Sequence, residues 1–364
     1  MLIEEVLELA VSKRASDIHI SANLPPVLRI DGKLIRTSLP VLSSDDVETI
    51  LFPILSNDQR RELEQNWELD FGYGIVGLGR FRVNIYRDKG SYAAAFRTIN
   101  STPPTFDELG LPEIVKKVAE RPRGLILVTG PTGSGKSTTL AAMIDYINST
   151  RVEHILTIED PIEFIHTSKK AVVHQRELGQ DTKSMANALR SALREDPDVI
   201  LVGEMRDLET TRLALTAAET GHLVLGTLHT SSASQTIDRI VDIFPEVQQQ
   251  QIRLQLSVSL VAVFSQTLLP KIATNGMKQG RVMAQEIMLV NSAISNLIRE
   301  QKTAQIYSAI QTGVGMGMQT LDMCLKDLVQ RKLVEPKDAI TKSQRPEEFK
   351  RSIGYVNMPG DYEL

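Results

Sequence analysis

Hydrophobic and polar positions follow two different patterns along the chain, and the change falls near residue 120. In the N-terminal part, apolar residues recur every three or four positions in some segments and alternate with polar residues in others, which predicts helices and strands respectively. The first 100 residues are therefore expected to form a small α+β domain. The predicted elements are helices at 3–11, 45–55 and 57–66, and strands at 17–21, 27–30, 80–86 and 92–99.

Two features of these strands bear on later chemistry. The dipeptide Asp31-Gly32 predicts a hairpin turn between the strands on either side of it. In the strand over residues 80–86, the period of two places Arg80 and Arg82 on one face of the sheet and the apolar residues on the other. The sequence thus predicts a basic face on this domain.

The C-terminal part has short apolar runs without alternation, separated mostly by helical stretches. Such runs are typical of strands buried on both faces of a parallel sheet, so we expect an α/β architecture. The uncharged stretch over 254–269 is interpreted as a buried helix followed by a strand, and the tail from Asn291 as helical. The predicted buried strands are 125–128, 154–158, 199–202 and 223–228.

Two prolines among polar residues over 100–105 predict a linker between the two parts. The predicted organisation is an N-terminal domain at 1–100, a linker at 101–118, and an α/β domain with a helical tail at 119–364.

Composition excludes several classes of protein. The formal net charge of −4 disfavours a dedicated nucleic-acid binder, which usually carries a basic domain. The single cysteine, Cys324, excludes an intramolecular disulfide and a Cys-x-x-Cys zinc site. No apolar run approaches the ~20 residues of a membrane span, and no signal peptide is evident, so we expect a cytoplasmic protein.

The strongest motif has the pattern G-x-x-x-x-G-K-S and lies between a predicted strand and a predicted helix. In that context the glycines let backbone N–H groups surround phosphate oxygens, and the helix directs the positive end of its dipole at the same anion. Lys136 is expected to reach the β- and γ-phosphates of ATP, and the Ser137 hydroxyl to bind Mg²⁺. The residues predicted to bind the nucleotide are Gly130, Pro131, Thr132, Gly133, Ser134, Gly135, Lys136, Ser137 and Thr138.

Phosphoryl transfer also needs a carboxylate that orients water or supports the metal. Glu204 follows one predicted strand and Glu163 lies just beyond another, at the strand ends where open α/β sheets bind ligands. The sequence leaves open which of the two is the general base. His222 and His229 bracket one strand, about 23 Å apart at ~3.3 Å per residue, so they cannot both contact one phosphate. His229, at the carboxyl end, is the candidate.

Four spans in order, 130–138, 157–163, 196–207 and 216–230, resemble the Walker A, Asp box, Walker B and His box of the secretion and type IV pilus ATPases. The residues of these motifs and their spacing are most similar to those of the retraction ATPases of the PilT type, and the resemblance covers nearly the whole chain. It implies a PAS-like N-terminal domain, a RecA-like C-terminal domain and a homohexamer that uses ATP energy to disassemble pili.

The resemblance also implies partners and further site residues. It implies a location at the cytoplasmic face of the inner membrane, peripheral to it, with a membrane platform protein and the pilus machinery as partners. It implies that arginines of the N-terminal domain reach the ATP site, and the matching positions here are Arg80, Arg82 and Arg97. An arginine that neutralises transition-state charge in such reactions is worth ~10³–10⁵ in rate.

One motif departs from the family. The retraction ATPases carry the C-terminal motif Ala-Ile-Arg-Asn-Leu-Ile-Arg-Glu, and residues 293–300 match it except that Ser295 replaces an arginine.

Three alternatives remain at this point. A pilus assembly or type II secretion ATPase usually has a longer N-terminal region and often four zinc-binding cysteines, which this chain lacks. A RecA-like nucleic-acid motor is disfavoured by the acidic balance. A non-hydrolysing accessory scaffold differs from a motor only in measured turnover.

Overall fold

The computed structural model describes residues 2–30, 32–75, 77–99, 102–272 and 278–355. The chain divides into two compact units. Unit 1 comprises Met1–Pro103 together with two later segments, Pro161–His166 and Glu177–Asp181, and unit 2 comprises the remainder. Asn100 and Ser101, at the start of the predicted linker, lie outside the described residues.

Unit 1 is built on a six-stranded antiparallel sheet in the order β3-β2-β1-β6-β5-β4. Its elements are α1 (Ile3–Ser12), β1 (Asp17–Ser21), β2 (Val27–Ile30), β3 (Lys33–Arg36), α2 (Ser44–Leu51), a 3₁₀ turn (Phe52–Ile54), α3 (Asn57–Asn66), β4 (Glu68–Ile75), β5 (Gly79–Asp88) and β6 (Ser91–Ile99).

Local sequence accounts for most of these elements. Ser43 and Ser56 begin α2 and α3 with capping boxes, in which the serine hydroxyl and a side chain three residues later satisfy each other's backbone N–H groups. The period of two in β5 is confirmed, because Phe81 and the alternate residues after it are buried in the core of unit 1. Ile30 pairs with Lys33, as a two-residue hairpin requires, although Asp31 of that turn lies outside the described residues.

Unit 2 has a seven-stranded sheet in the order β13-β12-β7-β11-β10-β8-β9. Its strands are β7 (Gly124–Thr129), β8 (His154–Glu159), β9 (Val172–Glu177), β10 (Val199–Val202), β11 (Leu223–Leu228), β12 (Leu260–Ile272) and β13 (Lys278–Leu289). Its helices are α4 (Phe106–Leu109), α5 (Glu113–Ala119), α6 (Lys136–Thr150), α7 (Met185–Ala192), α8 (Leu208–Glu219), α9 (Ala233–Asp242), α10 (Glu246–Ser259), α11 (Ser292–Arg299), α12 (Ile306–Thr312), α13 (Leu321–Gln330), α14 (Pro336–Ile340) and α15 (Pro346–Ser352), with 3₁₀ turns at Thr303–Gln305 and Val314–Met316.

The central strands of this sheet are parallel and buried, as their uninterrupted apolar runs predicted. Along β7, Leu125 and Leu127 belong to one hydrophobic cluster, whereas Ile126 and Val128 belong to another. Alternate residues of a strand point to opposite faces, so helices cover both sides of the sheet. The molecule is thus an α/β protein, as predicted.

The prediction for residues 254–269 needs one correction. The stretch does contain the end of a helix and the start of a strand, but the helix is not buried all round. Val247, Leu254 and Val258 of α10 are 91%, 51% and 74% exposed and recur at helical spacing along one face. Within the described residues, no helix combines the length and apolar character needed to cross a membrane.

Candidate active site

The glycine-rich loop joins the end of β7 to the first turn of α6. Gly130, Gly133 and Gly135 have φ values of 143°, 77° and 89°, in the region that residues with a Cβ rarely adopt. A Cβ on Gly130 would lie 2.2 Å from the backbone oxygen of Gln266, so this position also requires glycine for space. Lys136 is the first residue of α6, which places its side chain beside the loop and the helix N-terminus together.

A buried glutamine supports the loop from behind. The Gln266 amide group of β12 donates a hydrogen bond to the backbone oxygen of Ser134 at 2.9 Å. Its carbonyl oxygen accepts one from the Thr139 hydroxyl of α6 at 3.1 Å. One side chain therefore holds both the loop and the first turn of the helix, and Gln266 itself is only 3% exposed.

Three of the predicted site residues contact one another. The Lys136 ammonium group donates to the backbone oxygens of Gly130 and Pro131, at 2.9 and 3.2 Å, and lies 3.4 Å from Nδ1 of His229. Nε2 of the same imidazole lies 2.9 Å from Oε1 of Glu204. The structure thus joins the phosphate-loop lysine, the histidine and the carboxylate in one chain of contacts at the carboxyl end of the parallel strands.

One form of the histidine ring suits both of these contacts. A lysine ammonium can only donate, and an ionised carboxylate can only accept. The neutral imidazole with its proton on Nε2 satisfies both neighbours, since Nδ1 then accepts from Lys136 and Nε2 donates to Glu204. His229 therefore bridges Lys136 and Glu204.

Backbone hydrogen bonds fix the position of Glu204. The N–H of Gly203 donates to the backbone oxygen of Ile158 at 2.8 Å, and the N–H of Met205 donates to that of Thr227 at 3.1 Å. The guanidinium of Arg206 also contacts Oε1 of Glu204 at 2.6 Å, and this hydrogen bond raises the pKa of the arginine. Glu204 consequently serves two donors with one oxygen.

The remaining predicted residues belong to unit 1. Arg82 and Arg97 are directly paired across β5 and β6, and their side chains are 48% and 71% exposed. Arg97 forms a 2.9 Å ion pair with Asp17. Burial opposes ionisation of Asp17, but hydrogen bonds from Arg97 and Ser16 outweigh it and lower the pKa of this carboxyl.

The other two candidates in unit 1, the basic Arg80 and the acidic Glu163, differ in how far their side chains are exposed to solvent. Arg80 is ion-paired with the buried Glu177 at 2.5 Å, and its side chain is 22% exposed. Glu163 lies in the Pro161–His166 segment and its side chain is exposed. The catalytic roles assigned to these residues from the sequence stay predictions.

His222 has a local role. Its Nδ1 lies 3.0 Å from the backbone oxygen of Ala217 at the end of α8, far along the chain from the loop.

Sequence reasoning missed Arg206, Gln266 and Glu177. Gln266 carried a signal, because it is a polar residue inside an apolar strand, and Arg206 stands two residues after Glu204; nothing near Glu177 in the sequence indicated its partner.

Comparison with known proteins finds relatives over most of the chain. Residues 94–324 match the family described as "Type II/IV secretion system protein". The "Type IV pilus retractation ATPase PilT" of Pseudomonas aeruginosa is 56% identical over 349 residues, covering 96% of this chain and 100% of that protein. A "Twitching motility protein" of Neisseria gonorrhoeae is 54% identical and covers 88% of this chain and 85% of the relative.

A solved structure is similar over almost the same length. The crystal structure described as the pilus retraction motor PilT with bound ADP superposes with a TM-score of 0.89 at 50% identity, covering 96% of this chain and 99% of that one. The chain therefore belongs to the type II/IV secretion system protein family and, within it, is a pilus retraction ATPase.

Proposed function

We propose that unit 2 is a RecA-like domain that hydrolyses Mg-ATP at the Gly130–Thr138 loop, and that unit 1 is a PAS-like domain. The protein then acts as a homohexameric motor in which ATP hydrolysis drives pilus retraction. The proposal of ATP hydrolysis rests on the two successive side-chain contacts that link Lys136 to His229 and His229 to Glu204. A lysine beside a glycine-rich loop binds phosphate, and a carboxylate linked to it can respond to that phosphate.

The loop and the start of α6 bind the phosphates. Backbone N–H groups of residues 130–138 and the positive end of the helix dipole face the anion, and Lys136 moves its hydrogen bonds from loop carbonyls to phosphate oxygens. Gln266 keeps the loop in this shape. The loop glycines adopt conformations that residues with a Cβ rarely adopt, so replacing them would distort the cradle.

The donor atoms near the loop fit Mg²⁺. Magnesium prefers hard oxygen ligands and is usually held by one or two protein groups together with substrate phosphates. Ser137, the second residue of α6, supplies a hydroxyl, and Glu204 supplies a carboxylate beside Lys136 and His229. When bound, the ion neutralises charge on the β- and γ-phosphate oxygens.

Glu204 and Glu163 then have different tasks. Oε1 of Glu204 already accepts from His229 and Arg206, which suits a group that supports the metal and reports the phosphate through the imidazole. Glu163 is exposed, and we assign to it the role of orienting and deprotonating the attacking water. Arg82 and Arg97 supply positive charge to the transition state.

The proposal of a homohexameric motor rests on the similarity to the named relatives and on the solvent exposure of two arginines. Relatives named as a pilus retraction ATPase and a twitching motility protein are more than half identical to this chain. Arg82 and Arg97 are exposed in the single chain and so are available to nucleotide bound by a neighbouring subunit. We therefore place the ring at the cytoplasmic face of the inner membrane, against the platform protein of the pilus machinery, supporting twitching motility.

Turnover of the full-length protein tests the catalytic assignment. We expect Glu163→Gln to keep ATP affinity and to lower kcat about 10²–10⁴-fold, the usual contribution of a positioned general base. The matched control is Glu62→Gln, an exposed glutamate of unit 1 on α3, which should leave kcat unchanged. Full activity in Glu163→Gln would remove the base role from this residue, and a wild-type protein that binds ATP without turnover would identify an accessory scaffold.

A further inference from the structure

Unit 1 contains a buried ion pair that the proposed catalytic scheme does not use. Nη2 of Arg80 on β5 lies 2.5 Å from Oε2 of Glu177. The Arg80 side chain is 22% exposed and that of Glu177 is 2% exposed. Removing two charges from water is costly, so a pair of this kind persists only with good geometry and additional hydrogen bonds. Its other contacts indicate what it holds.

The additional hydrogen bond comes from the segment that carries Glu163. Oε2 of Glu177, the same oxygen that binds Arg80, accepts the backbone N–H of Ile162 at 3.1 Å. The backbone N–H of Glu177 in turn donates to Oδ2 of Asp181 at 2.8 Å. One carboxylate oxygen therefore ties the Pro161–His166 segment to β5 of unit 1.

The sheet provides room for this arrangement. A Cβ on Gly72 of β4 would lie 2.6 Å from Oε1 of Glu177 and 2.9 Å from Nη2 of Arg80. The backbone oxygen of Gly72 also accepts a hydrogen bond from the Gln180 amide at 2.7 Å. A glycine at this point of the strand thus lets the carboxylate and the guanidinium lie against the sheet.

The segment holds Glu163 exposed between buried neighbours. Ile162, Phe164 and His166 are 3%, 9% and 8% exposed, whereas Glu163 between them is exposed. The buried residues on either side of Glu163 hold the backbone from which its exposed side chain extends. The direction of the Glu163 carboxylate therefore depends on how Ile162 and its neighbours are held.

We propose that Arg80 and Glu177 are positioning residues for Glu163: the buried pair holds the N–H of Ile162 and thereby sets where the Glu163 carboxylate lies. This inference rests on the base role proposed for Glu163. Arg80 acts through Glu177 and does not contact the phosphates, which separates it from the more exposed Arg82 and Arg97.

Hydrogen exchange tests the positioning without reference to activity. In a peptide covering residues 160–166, Pro161 has no amide, so Ile162 is the first reporter after it. A hydrogen bond to a charged group is worth ~1.5–3 kcal/mol, so Glu177→Gln and Arg80→Gln should each speed exchange of the Ile162 amide roughly 10–100-fold. Arg61→Lys, in an exposed ion pair on α3, is the control and should not change it.

Unfolding is separated from loss of positioning by a double variant. Each single substitution leaves one buried charge without its partner, which destabilises a fold more than removing both. Arg80→Gln combined with Glu177→Gln removes both charges, and circular dichroism with a thermal scan verifies that it is folded. It should show the same faster exchange at Ile162. Unchanged exchange in the folded double variant overturns the proposal.

Kinetics tests whether positioning matters for the reaction. Misplacing a reacting group by about 1 Å can cost ~10²-fold in rate, so we expect all three variants to lower kcat roughly 10–100-fold with KM for ATP within about twofold of wild type. Because the two residues act as a unit, the double variant should be no slower than the slower single variant.

Three results contradict the proposal. A fall in kcat for Arg80→Gln without one for Glu177→Gln would mean that Arg80 acts directly on the nucleotide. Faster exchange at Ile162 with unchanged kcat would mean that the pair does not position a catalytic group. Additive losses in the double variant would mean independent roles. Failure of the base role itself appears separately, as full activity in Glu163→Gln while the exchange result stands.

Discussion

At the scale of single residues, the site depends on donors and acceptors that can each serve only certain neighbours. Lys136 only donates, Glu204 only accepts, and His229 between them can do both when its ring carries one proton, on Nε2. A phosphate that engages Lys136 therefore changes the hydrogen bonding of the imidazole, and the imidazole in turn contacts the carboxylate. In the structure, His229 bridges Lys136 and Glu204.

Glu204→Gln should separate nucleotide binding from hydrolysis. The amide keeps the shape of the side chain but loses the negative charge that faces His229 and Arg206, so we expect ATP to bind and kcat to fall about 10²–10³-fold, as for loss of one preorganised electrostatic group. Filter binding of labelled ATP and phosphate release measure the two steps. Glu246→Gln, exposed at the start of α10, is the control.

The contrary result is equally specific. If Glu204→Gln turns over at the wild-type rate, the contact chain from the lysine to the carboxylate has no role in the reaction, and catalysis must be ascribed to Glu163 alone.

Sequence reasoning located Lys136 from the glycine-rich motif. It located Glu204 and His229 because each follows a strand of a parallel sheet, and the carboxyl ends of such strands share one edge. It missed Arg206 as a partner of Glu204 although the two residues are close in the chain, since any exposed arginine near a strand end looks the same in sequence. Glu177 was beyond reach for a different reason: its partner Arg80 is 97 residues away in the chain.

At the scale of elements, the buried parallel strands were predictable, whereas three of the edge strands were not. The strands β7, β8, β10 and β11 have uninterrupted apolar runs, which only a doubly covered sheet accommodates. The missed strands β4, β9 and β13 mix polar and apolar residues and depend on pairing with a neighbour. The outward face of α10 was missed because uncharged residues were taken as buried residues.

Ser295 has a structural role in α11. Its hydroxyl donates to the backbone oxygen of Ser257 at the end of α10, at 2.8 Å, where the retraction family has an arginine. Ser295→Ala removes one hydrogen bond, so we expect a loss of about 1 kcal/mol and a fall in Tm of about 2–4 °C. Differential scanning calorimetry measures the shift, with the exposed Ser292→Ala as control.

ATP turnover should be unchanged in Ser295→Ala, because the contact joins two helices and involves no loop residue. An unchanged Tm would show that the hydroxyl exchanges its helix partner for water at no cost.

Glu286 of β13 should make the stability of unit 2 depend on pH. This carboxylate is 2% exposed and accepts hydrogen bonds from the backbone N–H of Ala233 and the amide of Gln344, at 2.7 and 2.9 Å. Burial raises its pKa above the usual value of 4.5 despite these hydrogen bonds. The folded state therefore holds the proton more tightly than the unfolded state.

The sign of the effect follows from linkage. A raised pKa contributes stability that is complete below about pH 4.5 and is lost as the pH rises through the folded-state value. Glu286→Gln cannot titrate, so its Tm relative to wild type should move in favour of the variant as the pH rises from about 4.5. Thermal scans of both proteins across that range measure the difference. A gap that stays constant, or moves in favour of wild type, contradicts this account.

At the scale of the whole molecule, the chain consists of two units, and each unit is formed by segments that are separate in the sequence. The segment Pro161–His166, which follows β8 and carries Glu163, groups with the N-terminal unit. A boundary drawn at a proline-rich linker cannot anticipate this, because linker composition reports only where the chain leaves a domain and not where later segments return.

Assembly should appear in the concentration dependence of activity. If sites are completed by neighbouring subunits, as proposed for Arg82 and Arg97, specific ATPase activity should fall as the protein is diluted below the range in which the ring persists. Phosphate release measured beside mass photometry compares activity with the fraction of hexamer. Specific activity that stays constant while hexamers dissociate would show that one chain is a complete catalyst.

The central claim is that the loop around Lys136 binds and hydrolyses ATP, and the full-length Lys136→Ala variant tests it most directly. Steady-state phosphate release with magnesium and ATP should be saturable in wild type and at least about 10²–10³-fold lower in the variant, with Lys170→Ala, an exposed lysine of unit 2, unchanged. Wild-type turnover in a folded Lys136→Ala protein would contradict the account.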